Sequence, residues 1–178
     1  MTRLVTSIAT FAAVLAILGG RAILAQDDGK ATVRVPDGLA MSDFKGYEDW
    51  AVISVSQTDG LMKAILGNPA MIEAYRGGAP GNGKAFPDGA KMAKIMWEPA
   101  IESKAPSPAR VAGRLQHIDF MEKDSKRFAG TAGWGYAQFN YDAASGRFSP
   151  DGSGTACGAA CHKIVAAQDS VFTAYPKR

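Results

Sequence analysis

Lys91-Met-Ala-Lys-Ile-Met-Trp97 carries the two-residue period of a β-strand, with Met92, Lys94 and Met96 on one face and Ala93, Ile95 and Trp97 on the other. Outward from it, residues 51–57 repeat the alternation through Val52, Ile53 and Val55. Residues 111–121 and 133–141 read as two more strands, and residues 171–175 as a closing one. Residues 61–66 are apolar and fit either a strand or a helix. Asn68-Pro69 starts a helix, because Asn caps and Pro suits the first helical position; it carries Met71, Ile72 and Tyr75 and stops at Gly77-Gly78.

The remaining segments are connections: a polar lead-in over 26–41, a short helical stretch over 43–50 and a glycine-rich loop over 79–84. A proline-rich link follows over 99–108, a turn or helix over 123–128 and a Gly/Ser loop over 142–155, before a helix over 161–168. The pattern predicts an α+β domain, mainly an antiparallel β-sheet with a few short helices.

Cys157-Gly-Ala-Ala-Cys161-His162 holds the only two cysteines and one of the two histidines. It is one residue longer than C-x-x-C-H, the attachment signature of a c-type haem. Two thiols add to the two vinyl groups of one porphyrin edge, and the adjacent imidazole ligates iron. On this reading Gly158 supplies the backbone freedom that absorbs the extra residue. Two other readings stand beside it. A disulfide would close a very short loop with little entropic benefit. A zinc site wants four ligands, and His117 is the only other imidazole.

Arg3, the uncharged residues 4–20 and the small residue Ala25 have the layout of a secretory signal peptide over 1–25, leaving a domain over 26–178. An uncleaved single-span membrane anchor is the alternative. Export suits the motif, since c-type haem is attached outside the bacterial cytoplasm and paired cysteines survive there bonded or ligated. The leader takes Arg3 and Arg21 and no acid, so the formal charge of +3 falls by two, to +1. No basic block or aromatic-basic interleaving points to nucleic acid.

Four segments together resemble the cytochrome P-460 family: Phe86-Pro-Asp-Gly-Ala-Lys-Met-Ala-Lys94, Lys123-Asp-Ser-Lys-Arg-Phe128, Gly133-Trp-Gly-Tyr136, and Cys161-His-Lys with Asp169-Ser-Val-Phe-Thr173. The resemblance spans about residues 47–176. It implies a periplasmic, homodimeric, mono-haem c-type cytochrome on an antiparallel sheet, with five-coordinate iron. Type members oxidise hydroxylamine and pass electrons to an external acceptor, which no motif here identifies. The related β-type cytochromes c-prime bind nitric oxide or carbon monoxide instead. A plain electron-transfer cytochrome would add a second axial ligand such as Met.

Carried over, Cys157 and Cys161 hold the haem covalently and His162 is the proximal iron ligand. Lys94 falls where the enzymes bond a lysine to a porphyrin meso carbon; the alternative is an edge-strand lysine reaching water. Asp151 lies where some members place an acid that assists proton removal, and in its loop it also reads as a plain turn aspartate. Lys63 matches an enzyme-like basic residue or a solvated charge, and His117 reads as structural. Trp134 and Tyr136 read as core, while Phe86, Met92 and Met96 line a distal pocket or pack the core.

Overall fold

The alternation at residues 91–97 becomes the third of six strands that hydrogen-bond in chain order, each antiparallel to the next. The computed structural model describes residues 33–177 apart from 37, 59 and 105. The leader predicted over 1–25 lies outside the described residues. The strands are β1 (Ala51–Thr58), β2 (Leu61–Gly67), β3 (Lys91–Glu102), β4 (Ala109–Lys123), β5 (Trp134–Asp142) and β6 (Arg147–Pro150). Helix α1 (Pro69–Arg76) follows β2, and α2 (Gly154–His162) follows β6 and tightens into a 3-10 stretch, Lys163–Gln168. The α+β class stands.

Several local expectations change. The segment over 61–66 is strand β2. β3 runs through Pro99, paired with Ala112, where a proline-rich connection was expected. The register shifts on both sides of Trp97, which lets the strand accept a residue with no N–H to donate. The Gly/Ser loop over 142–155 contains β6, while residues 171–175 form no strand. The short helical stretch over 43–50 is two 3-10 turns, Met41–Phe44 and Tyr47–Asp49.

Side-chain alternation splits the core in two. One face of the sheet, with Leu66, Ala93, Ile118, Phe120, Ala137 and Phe139, packs under Val35, Leu39, Met41 and Phe44. The lead-in expected to be loose is therefore a lid on this core, and Leu39 and Phe44 are fully buried. The opposite face, with Met92, Met121, Trp134 and Tyr136, is covered by Met71, Ile72 and Tyr75 of α1, by Phe86 and by Val171. Asn68 fixes α1 against the sheet. Its Oδ1 accepts from Met71 N and from Lys91 N, each at 3.0 Å, and its Nδ2 donates to the Gly89 carbonyl at 2.8 Å. Gly78 leaves the helix at φ +94°, a conformation other residues rarely adopt.

Candidate functional site

Register places two rows of side chains on the face that α1 only partly covers. One row runs Met92–Met121–Tyr136 across β3, β4 and β5. The next runs Ile65–Lys94–Asp119–Gln138 across β2 to β5. Helix α2 stands over this face, with Gly158 against Tyr136, where a Cβ would lie only 2.4 Å from the tyrosine's Cβ. Gly158 thus serves close approach between helix and sheet, and not the flexible bulge that the motif suggested. Its place inside α2 removes any need for a bulge, since the helix absorbs the extra residue. Between α2, the segment 171–173 and the two rows lies a cavity of about 310 Å³.

Cys157 and Cys161 are one helical turn apart, on one side of α2, and both line this cavity while remaining exposed. Both thiols are free. A helix sets the Cβ atoms of such a pair about 5–6 Å apart, beyond the 3.5–4.5 Å that a disulfide spans. Among the described residues, no three of His, Cys, Asp and Glu gather as a set that would hold a metal ion.

His162 ends α2 and lines the same cavity. Its Nδ1 lies 2.7 Å from the Ser170 carbonyl, which can only accept, so Nδ1 carries the hydrogen and Nε2 is the free nitrogen. Burial, opposed by the Ser170 hydrogen bond, holds its pKa below the ordinary value and so favours the neutral ring, whose Nε2 can donate a lone pair. Tyr136 and Phe172 flank the ring, with centroids 4.7 and 5.0 Å away.

Lys94 reaches the cavity from the sheet side and pairs with Asp119, Nζ to Oδ2, at 2.5 Å. β3 is an interior strand, so the edge-strand reading of Lys94 fails. Asp119 went unnoticed in the sequence. Its Oδ1 is buried with no hydrogen-bond partner, and His117 Nε2 lies 3.7 Å from it.

The match to the family described as Cytochrome P460 covers residues 44–173. The chain belongs to the cytochrome P460 family. No curated protein matches it. Membership makes it a haem-binding cytochrome of the P460 type. The donor set fits that group: an imidazole with one nitrogen free, two unbonded thiols beside it, and walls that include Ile65, Met92 and Met121.

Within this cytochrome P460 chain the other predicted residues divide. Asp151 also lines the cavity, but both its oxygens are engaged by Ser153: Oδ1 accepts from the backbone N–H at 3.0 Å and Oδ2 from the hydroxyl at 2.5 Å. That is the turn geometry. Lys63 donates to Thr58 and lies outside the cavity wall. His117, Met96 and Phe86 are likewise not in that wall; Met96 and Phe86 are buried. Trp134 is fully buried core, whereas Tyr136 is both core and cavity wall. Among the described residues, no helix is long and apolar enough to cross a membrane.

Proposed function

We propose that the chain is an exported mono-haem c-type cytochrome that oxidises hydroxylamine. The observation that carries the reading is one cavity lined by Cys157, Cys161, His162 and Lys94, with Asp119 beside the lysine. When bound, haem supplies the iron that takes a small nitrogenous ligand and receives its electrons. Cys157 and Cys161 would hold it through thioethers, each S–H adding across one vinyl double bond. The Ser170 carbonyl keeps the hydrogen on His162 Nδ1 and leaves Nε2 to ligate. Ile65, Met92 and Met121 exclude water from the sheet side.

A bond from Lys94 to a ring carbon would replace one N–H and the ring C–H, releasing their protons and passing two electrons to an external oxidant; the lysine would lose its charge and Asp119 its ion pair with it. Asp119 then becomes the acceptor for a substrate proton, a role that needs a free oxygen within hydrogen-bond reach. Asp119 has one, while Asp151 has both oxygens engaged, so Asp151 takes second place. The leader over 1–25, periplasmic location, a homodimer and an external electron acceptor complete the proposal. Val55 and Ile101, 64 % and 61 % exposed on β1 and β3, supply apolar surface that a second copy would cover.

One observation favours a second reading, a β-type cytochrome c-prime that binds nitric oxide or carbon monoxide. The Lys94 nitrogen is engaged by the Asp119 carboxylate, so in this arrangement its partner is a side chain and not a ring carbon. The ferrous optical spectrum of wild type and Lys94→Ala decides. A red-shifted Soret band that becomes an ordinary c-type band in the variant, with hydroxylamine oxidation lost, supports the enzyme. Identical ordinary high-spin spectra in both proteins reject it and leave the gas binder.

A further inference from the structure

Residues 169 and 170 hold a backbone shape that needs support. Asp169 and Ser170 both lie in the left-handed region, at φ +49° and +61°, and neither is glycine. Such residues persist where their surroundings over-determine them. Here the Asp169 carboxylate is held at both oxygens. Oδ1 accepts from Lys123 Nζ at 2.7 Å, and Oδ2 accepts from the Phe86 backbone N–H, also at 2.7 Å. Lys123 is 6 % exposed, donates to the Ala132 carbonyl at 3.0 Å and lies over the Trp134 ring, 5.0 Å from its centroid.

A lysine this buried is rare unless paired. The pair itself is a weak source of stability, because desolvation opposes the attraction. Its specific product is the turn. The turn brings the Ser170 carbonyl to His162 Nδ1, with Ser170 itself buried.

We infer that the Lys123–Asp169 ion pair is a positioning device for His162: it locks the turn whose Ser170 carbonyl orients and polarises the imidazole. The inference rests on the proposed role of His162 as proximal iron ligand. A hydrogen bond at Nδ1 raises the basicity of a ligating imidazole. A more basic ligand favours ferric iron, so the clamp lowers the reduction potential. The acceptor is a backbone carbonyl, which no substitution of Ser170 removes. Asp169 and Lys123 are therefore the side chains through which the bond can be altered.

The test uses holoprotein with Asp169→Asn, Asp169→Glu, the double variant Lys123→Met/Asp169→Leu, and Asp88→Asn. Asp88 ties two loops together, accepting from Ser125 N and Oγ at 2.8 and 2.7 Å, without contact to His162. The readouts are the ferrous iron–histidine stretching band and the midpoint potential. Asp169→Asn and the double variant should lower the band and shift the reduction equilibrium about tenfold toward ferrous, about 59 mV for one electron. Asp169→Glu should restore most of the wild-type behaviour, and Asp88→Asn should match wild type. If Asp169→Asn does not fold, the double variant decides, since it leaves no lone buried charge. A wild-type band and potential in the folded double variant, or an equal shift in Asp88→Asn, overturns the inference. His162→Gly separates the two layers: if the wild-type band persists in it, the ligand assignment itself fails.

Discussion

Gly158→Ala puts a single methyl where α2 meets β5. The added Cβ would lie 2.4 Å from Tyr136 Cβ, 2.5 Å from Cγ and 2.9 Å from Cδ1. Carbon atoms settle at about 3.5–4.0 Å, so the helix must withdraw by about 1.1–1.6 Å. Tyr136 offers little relief. The nearest atoms are the root of its side chain, it is buried, and its backbone pairs with Met121. Thr155 also bridges its backbone, with Oγ1 accepting from Tyr136 N at 3.3 Å, so the first turn of α2 resists the shift. Overpacking costs about 1–3 kcal/mol, and the better helix propensity of alanine offsets about 1 kcal/mol. The net loss centres near 1 kcal/mol, a fall in Tm of about 2–4 °C.

The larger effect is at the site. His162 lies one turn further along the helix, its ring against Tyr136. A displacement of about 1 Å at such a group can cost about 10²-fold in activity. Thermal unfolding of the holoprotein, haem content and the ferric spectrum read the two effects separately. A higher Tm with full haem content and an unchanged spectrum would mean that helix propensity alone governs this position. The close-packing account of Gly158 would then be wrong.

Further outcomes follow from the same structure. Asp119→Asn should lower kcat for hydroxylamine by about 10²–10⁴-fold while haem stays attached; full activity would remove Asp119 as the proton acceptor. Asn68→Ala strands the N–H groups of Met71 and Lys91 and should cost about 2 kcal/mol by denaturant titration, whereas a loss under about 0.5 kcal/mol would contradict the capping role. Burial raises the Tyr47 phenol to about 12 and lifts Tyr75 and Tyr136 above the usual phenol range. Because these folded values exceed the unfolded value of about 10, the contribution is complete below about pH 10 and is lost as pH climbs through the folded values. Stability should therefore fall above about pH 10, less steeply in Tyr75→Phe, and an equal slope in both proteins would argue against the assignment. The ferric holoprotein should be high-spin; a low-spin iron that rejects nitric oxide would point to Met92 or Met121, both in the cavity wall, as a second ligand.

Local pattern made the sheet readable and hid much of the site. Alternation placed Met92, Lys94 and Met96 on one face, and Asn68-Pro69 marked α1, because strand period and helix caps are written within a few residues. The lysine's partner is not written there. Asp119 meets Lys94 only through the register of β3 on β4, which bulges at Trp97 reset between the cavity and the hairpin end. Lys123 read as the start of a turn, yet it ends β4 and is buried against a carboxylate 46 residues along the chain. β6 was hidden because four residues among glycine and serine leave no period to see. The two cysteines and His162 stood out because the haem attachment proposed for them demands adjacency in sequence, and the structure brings all three to one cavity. The carbonyl that sets the tautomer of His162 is backbone, and no residue type announces it.

Mass spectrometry of the tryptic haem peptide tests the account most directly. The account predicts one porphyrin that carries the segment with Cys157 and Cys161 and, through a third bond, the segment with Lys94. Haem that extracts freely into acid acetone, with a Cys157–Cys161 peptide bearing no porphyrin, would contradict the central claim.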